Sequence, residues 1–153
     1  MPEKIQLPGG GYAFVASPAE MSASERYRLL DPTINTLEDY QAAKLSELDE
    51  LCTQAILGGF RSDALGEEHG YAFGDQDQAN LTGMLAMLNA DPNLQQMIWK
   101  TQDAGPLLHT REQFLKVCQD GLQFKNDHIA RYWALKQQVQ AAVSLEQIQS
   151  FVW

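Results

Sequence analysis

The sequence predicts an α+β protein, mostly helical, with one long C-terminal helix and small antiparallel β-hairpins. Three observations carry that expectation. Apolar residues make up 44% of the 153-residue chain, the share of a folded domain and not of a disordered segment. A helical pattern runs from the capping box Thr110-Arg111-Glu112-Gln113 to about Val143. Short apolar segments flank the turn-forming stretches Pro8-Gly9-Gly10-Gly11 and Asp103-Ala104-Gly105-Pro106.

Taken in order, Ile5 to Leu7 and Tyr12 to Ala16 predict a hairpin over residues 4–16. Ser17-Pro18-Ala19-Glu20 then offers an N-cap, a proline at the first helical position and a glutamate three past the cap, which predicts a short helix to about Leu30. Residues 1–35 thus form an N-terminal arm of hairpin and short helix, and residues 36–153 form the main domain. Thr36 caps its first helix, Glu38 and Asp39 suit the positive end of the dipole, and Leu37, Ala43 or Lys44, Leu48, Leu51, Cys52, Ala55 and Ile56 recur near helical spacing until Gly58-Gly59. A loop from Phe60 to Gly66 leads into a strand with Tyr71 and Phe73 on one face. Asp75 or Asp77 caps the next helix, which Asn89-Ala90-Asp91-Pro92 ends.

A second hairpin pairs Gln96 to Thr101 with Leu107 to His109. In the long helix that follows, Leu115, Leu122 and Ile129 lie seven apart, with Cys118, Tyr132 and Val139 extending the same flank and Lys125 interrupting it. Gly121 is expected to kink or thin the helix where another element crosses closely. Ser144-Leu145-Glu146-Gln147 starts a terminal turn, predicted to fold Ile148, Phe151 and Trp153 back near Leu135 and Val139.

Eleven Lys and Arg against twenty Asp and Glu give a formal charge of −9, a field that repels a phosphate backbone and argues against nucleic acid as a partner. No apolar run approaches the ~20 residues of a membrane span, and Met1-Pro2-Glu3-Lys4-Ile5 lacks the apolar core of a signal peptide. Cys52 and Cys118 sit in apolar helical patterns without a Cys-x-x-Cys or zinc-finger spacing, so both are expected as buried free thiols in a reducing cytoplasm.

Sites for chemistry are not evident. Asp75-Gln76-Asp77-Gln78-Ala79-Asn80 offers oxygen ligands but lacks the glycine and the twelfth-position acid of a calcium loop, so helix capping is the reading preferred here. His69, His109 and His128 have no second ligand at metal spacing. There is no Gly-x-Ser-x-Gly, no catalytic-cysteine signature, and Gly9-Gly10-Gly11 leads into a strand and not into a phosphate loop. No catalytic, cofactor-binding or metal-ligating residue is therefore assigned, and the protein is read as a non-enzyme. Tyr71, Phe73, Trp99, Tyr132, Trp133 and Trp153 suit a carbohydrate groove in principle, though core packing accounts for them more simply.

A succession of short motifs is more informative. Lys44, Glu47-Leu48, Cys52, Ala55-Ile56, Gly59-Phe60, Ser62, Ala64-Leu65-Gly66, His69 and Tyr71 are followed by Asp77-Gln78 and Asn80-Leu81. Trp99-Lys100-Thr101, His109-Thr110, Gln113-Phe114, Leu135-Lys136 and Trp153 continue the series. Over about residues 40–153 the chain resembles a domain of unknown function that recurs in tail, tail-fibre and baseplate-associated proteins of tailed bacteriophages and prophages. That resemblance implies no established activity and no catalytic residues. It implies a structural or accessory tail component that binds a tail-fibre or baseplate protein, or a second copy of itself. It would be found in the host bacterial cytoplasm during assembly or in the virion tail. The alternatives are a tail-fibre assembly chaperone absent from the mature virion and a carbohydrate-binding receptor module.

Overall fold

The computed structural model describes residues 3–6, 12–15 and 21–153. The mostly helical α+β class is as expected, and the strands form antiparallel two-stranded ribbons. Contacts divide the chain into two units, one made of Met1–Glu50 with Ala134–Trp153 and the other of Leu51–Trp133.

In the first unit, β1 (Glu3–Gln6) and β2 (Tyr12–Val15) pair antiparallel with Glu3 opposite Val15. The expected helix start at Ser17 to Glu20 lies outside the described residues. Helix α1 (Ala23–Arg28) is capped by Ser22, whose side chain accepts from the Glu25 N–H while Glu25 accepts from the Ser22 N–H. Thr36 and Asp39 make the same reciprocal pair at the start of α2 (Leu37–Leu57). Glu50 on α2 accepts the Ala23 N–H at 2.6 Å, a carboxylate at the positive end of α1. Lys44 is buried, but its ammonium meets Glu47 at 2.7 Å and lies 4.1 Å from the Tyr27 ring centroid, so the charge is compensated.

The C-terminal segment completes that unit. Helix α4 (Arg111–Ala141) ends where Gln41 Nε2 donates to the Val139 and Ala142 carbonyls at 3.2 and 3.0 Å. Helix α5 (Leu145–Ser150) is capped by Ser144, which accepts the Gln147 N–H, whereas the Gln147 side chain reaches one residue further back, to the Val143 N–H. Ile148 is fully buried with Tyr40 and Ala142, and Tyr27, Leu30, Leu37, Leu145 and Phe151 pack around them. Val139 is fully buried as expected, while Leu135 and Trp153 are only half-buried. Tyr40 of α2, which sequence reasoning did not name, takes the central place. Because Tyr27 and Leu30 belong to this cluster, removing residues 1–35 strips part of a core and does not merely detach an arm.

The second unit begins at the end of α2. Gly59 breaks the helix at φ +99°, and a Cβ there would sit 2.7 Å from the Tyr71 carbonyl oxygen, which only glycine tolerates. The segment read from sequence as a loop instead starts with a strand: β3 (Phe60–Ser62) pairs antiparallel with β4 (His69–Tyr71), Phe60 facing Tyr71. Helix α3 (Asp75–Ala90) is capped by Gly74 and not by Asp75 or Asp77; Asp77 sits three residues in and accepts the Gly74 N–H at 3.0 Å. Strands β5 (Gln96–Thr101) and β6 (Gly105–Thr110) form the expected hairpin, with Gly105 at φ +72° closing a three-residue turn. Thr110 and Gln113 make the predicted capping box of α4. Arg111 donates to the carbonyls of Leu88, Asp91 and Leu94 and ties the end of α3 to the start of α4.

The buried face of α4 differs from the expected one in its first half, whereas farther on Ile129 and Tyr132 are half-buried and Val139 is buried. Phe114, Val117 and Gly121 are buried and Phe124 and His128 half-buried, while Leu115 and Leu122 face solvent. Gly121 decides the rotation. Its bare Cα admits the Phe60 ring so closely that a Cβ would lie 2.8 Å from Phe60 Cζ.

Candidate functional site

The groups with chemical potential in the second unit are engaged with one another. Burial takes the His109 ring fully out of solvent. Its Nδ1 lies 2.9 Å from the Leu107 carbonyl oxygen, which can only accept, so Nδ1 carries the hydrogen. Nε2 is then the acceptor for the Tyr71 hydroxyl, also at 2.9 Å. Loss of solvation holds the imidazole below its ordinary value of 6.5, partly offset by the Leu107 carbonyl and reinforced by His69. Burial likewise raises the Tyr71 phenol.

Beside this pair, His69 Nδ1 meets Asp103 Oδ2 at 2.9 Å, and the other oxygen of Asp103 accepts the Gly70 N–H at 2.9 Å. The Gly70 N–H first, and His69 second, hold the Asp103 carboxyl below its usual range. Ser62 is paired in register with His69, so a serine and an imidazole are neighbours across strands. The arrangement is not that of a hydrolase triad, because the Ser62 hydroxyl bonds Asp120 Oδ2 at 2.6 Å, and Asp120 itself pairs with Lys116 at 2.8 Å. These bonds join β3, β4, the β5–β6 turn and α4, and their structural effect is to fix the two ribbons.

Protonating His109 at Nε2 ends its acceptance from the Tyr71 hydroxyl and charges a buried ring. The unfolded chain, with its imidazole near 6.5, binds that proton more readily than the folded one, so the stability contributed by His109 is complete above pH 6.5 and is lost as pH falls through the lower folded value. Urea midpoints measured between pH 7.5 and 4.5 should fall more steeply for the wild type than for His109→Gln. Parallel pH curves would refute the assignment.

The remaining candidates are placed as follows. Asp75 is exposed at the first turn of α3, Asp77 accepts the Gly74 N–H, and Asn80 accepts from Gln76 on the same helix. Among the described residues no three His, Cys, Asp or Glu side chains converge as a metal site. Cys52 is buried and its thiol donates to the His128 carbonyl at 3.5 Å. Cys118 is half-buried, not fully buried, and desolvation pushes its thiol up to about 11, well away from a reactive thiolate. It lines a crevice of about 170 Å³ with Phe73, Leu81, Leu85 and Leu122. Tyr71 and Phe73 are core residues, Trp99 packs edge-on against Phe114 at 4.9 Å, and Trp133 is exposed.

A larger cleft, about 550 Å³, runs along β5. Ile98, Trp99, Lys100, Thr101 and Gln102 form one wall; Ala72, Asp77 and Asn80 form the other. Period-two alternation turns Met97, Trp99 and Thr101 inward and leaves Ile98 and Lys100 outward. Ile98 is 67% exposed and its cross-strand partner Leu108 57%, an apolar pair facing solvent.

A family model described as Domain of unknown function (DUF4376) matches residues 39–151. The chain belongs to this family. The DUF4376 match begins in the first turn of α2 and ends one residue past α5, close to the span of 40–153 expected from the motifs, and leaves β1, β2 and α1 outside it. Comparison with curated proteins and with solved structures gave no match to this DUF4376 protein.

Proposed function

We propose that the protein is a structural or accessory component of a bacteriophage tail, in the fibre or baseplate region, and that it acts by binding another protein. The order of motifs from Lys44 to Trp153 supports the tail setting, and it lies within the matched DUF4376 span apart from the last residue. The outward Ile98–Leu108 pair carries the binding reading: a two-stranded ribbon normally turns its polar side to water, and here two large aliphatic side chains occupy it. The Ser62 hydroxyl, the three histidines and the Cys52 thiol of the same unit, in contrast, are committed to internal bonds.

Mass spectrometry of purified tailed-phage particles, set beside the lysate from which they came, tests this. A tail component is present in both. Presence in purified tail intermediates but not in particles identifies an assembly chaperone, and presence in neither contradicts both versions.

A further inference from the structure

Five consecutive residues, Ile98 to Gln102, border the 550 Å³ cleft. Side chains of a strand alternate between faces, so an unbroken series of lining residues means that the cleft is bounded by the edge of β5 and not by one of its faces. The Gln102 N–H, at the end of that edge, donates to the Gly70 carbonyl at 2.8 Å. Main-chain groups of an antiparallel strand alternate sides residue by residue. Lys100 and Ile98 therefore turn their N–H and C=O groups to the Gln102 side, while Met97, Trp99 and Thr101 turn theirs to β6. Among the described residues that outer edge has no ladder partner, because β5 pairs with β6 alone. The two ribbons are joined at Gly70 and Gln102, and the space beyond is walled by Ala72 and by Asp77 and Asn80 of α3.

We propose that the free edge of β5 takes an extended segment of a partner protein as an added strand, and that this segment carries an aliphatic residue and, two positions away, an Asp or Glu. Its main chain would satisfy the open N–H and C=O groups of Ile98 and Lys100, the mode of recognition in which backbone bonds hold the segment and alternate side chains select it. Residues two apart lie on one face, so the aliphatic side chain falls beside Ile98 and the acid beside Lys100. Lys100 is exposed and makes no ion pair among the described residues, in a chain with an excess of nine acids. Opposite charges on neighbouring strands attract and like charges repel. The same lysine discourages two identical edges from pairing, which favours a foreign acidic segment over a second copy. The cleft falls within the ~300–1,000 Å³ of ordinary ligand sites. That suits one strand between β5 and α3.

This rests on the protein-binding reading above and not on the tail assignment, so particle composition and the following selection can fail independently. The full chain is panned against an mRNA-displayed library of random octapeptides. Enriched peptides should share an Asp or Glu two positions from Ile, Leu or Val. Lys100→Glu, whose fold is checked by its melting curve, should weaken an enriched peptide by at least about tenfold and should itself select Lys or Arg at the acidic position. No enrichment, or enrichment that Lys100→Glu leaves unchanged, overturns the proposal. So does a concentration-dependent dimer of the unliganded chain that Lys100→Glu abolishes, since that would assign the edge to a second copy.

Discussion

Phe60→Ala is expected to destabilise the protein by about 3–5 kcal/mol, the usual cost of deleting a buried aromatic ring. Phe60 is 2% exposed and packs against three aromatic rings. It stacks on Tyr71 with centroids 5.5 Å apart, meets Phe73 edge-on at 4.9 Å, and lies 6.3 Å from Phe124. The ring tip rests on Gly121, and this contact separates two opposed expectations. Helix propensity alone makes Gly121→Ala stabilising by about 1 kcal/mol. A methyl at 2.8 Å from a ring fixed on three sides forces a displacement instead, and overpacking costs about 1–3 kcal/mol. Gly121→Ala should therefore lower the urea midpoint, and Phe60→Leu should make the same substitution less harmful or favourable, a coupling readable in a double-mutant cycle. A midpoint raised by Gly121→Ala in the wild-type background would show that the two residues are not in contact.

Truncation after Val143 is expected to be as damaging. It removes Ile148, which is fully buried, together with Leu145 and Phe151 from the cluster around Tyr40 and Ala142. Loss of one large buried aliphatic side chain costs about 2–5 kcal/mol, against a total stability of about 5–15 kcal/mol for a domain. Ile148→Ala isolates that part of the effect without exposing the end of α4. If the truncated chain and Ile148→Ala both unfold at the wild-type urea concentration, the C-terminal helix is not docked in solution.

Local signals carried far in this chain where the backbone itself is the reader. The capping pairs Thr36 with Asp39 and Thr110 with Gln113 and the stop at Gly59 depend on residues close in sequence and stand where the pattern places them, whereas the β5–β6 turn falls at residues 102–104, earlier than the expected Asp103 to Pro106, because Gly105 and Pro106 already pair with β5. The face of α4 was harder to read, because apolar residues recur at helical spacing on two adjacent flanks. The series through Leu115 and Leu122 is as regular as the one through Phe114, Val117 and Phe124, and the latter is buried on the side where Gly121 lets Phe60 approach. Gly121 was legible as a crossing point; its partner was not. Strand β3 went unread since three residues, Phe-Arg-Ser, give almost no alternation to detect. The free edge of β5 was invisible for a different reason: a strand's sequence does not record which of its two edges is paired.

The binding surface itself can be tested in the particle. Leu108→Glu places a charge on an exposed aliphatic residue opposite Ile98, where no core packing is lost, so the variant should match the wild type in its melting curve. Quantitative mass spectrometry of particles assembled with the variant should then find the protein missing or strongly depleted. Incorporation at the wild-type copy number would show that the Ile98–Leu108 face does not hold the protein in the tail.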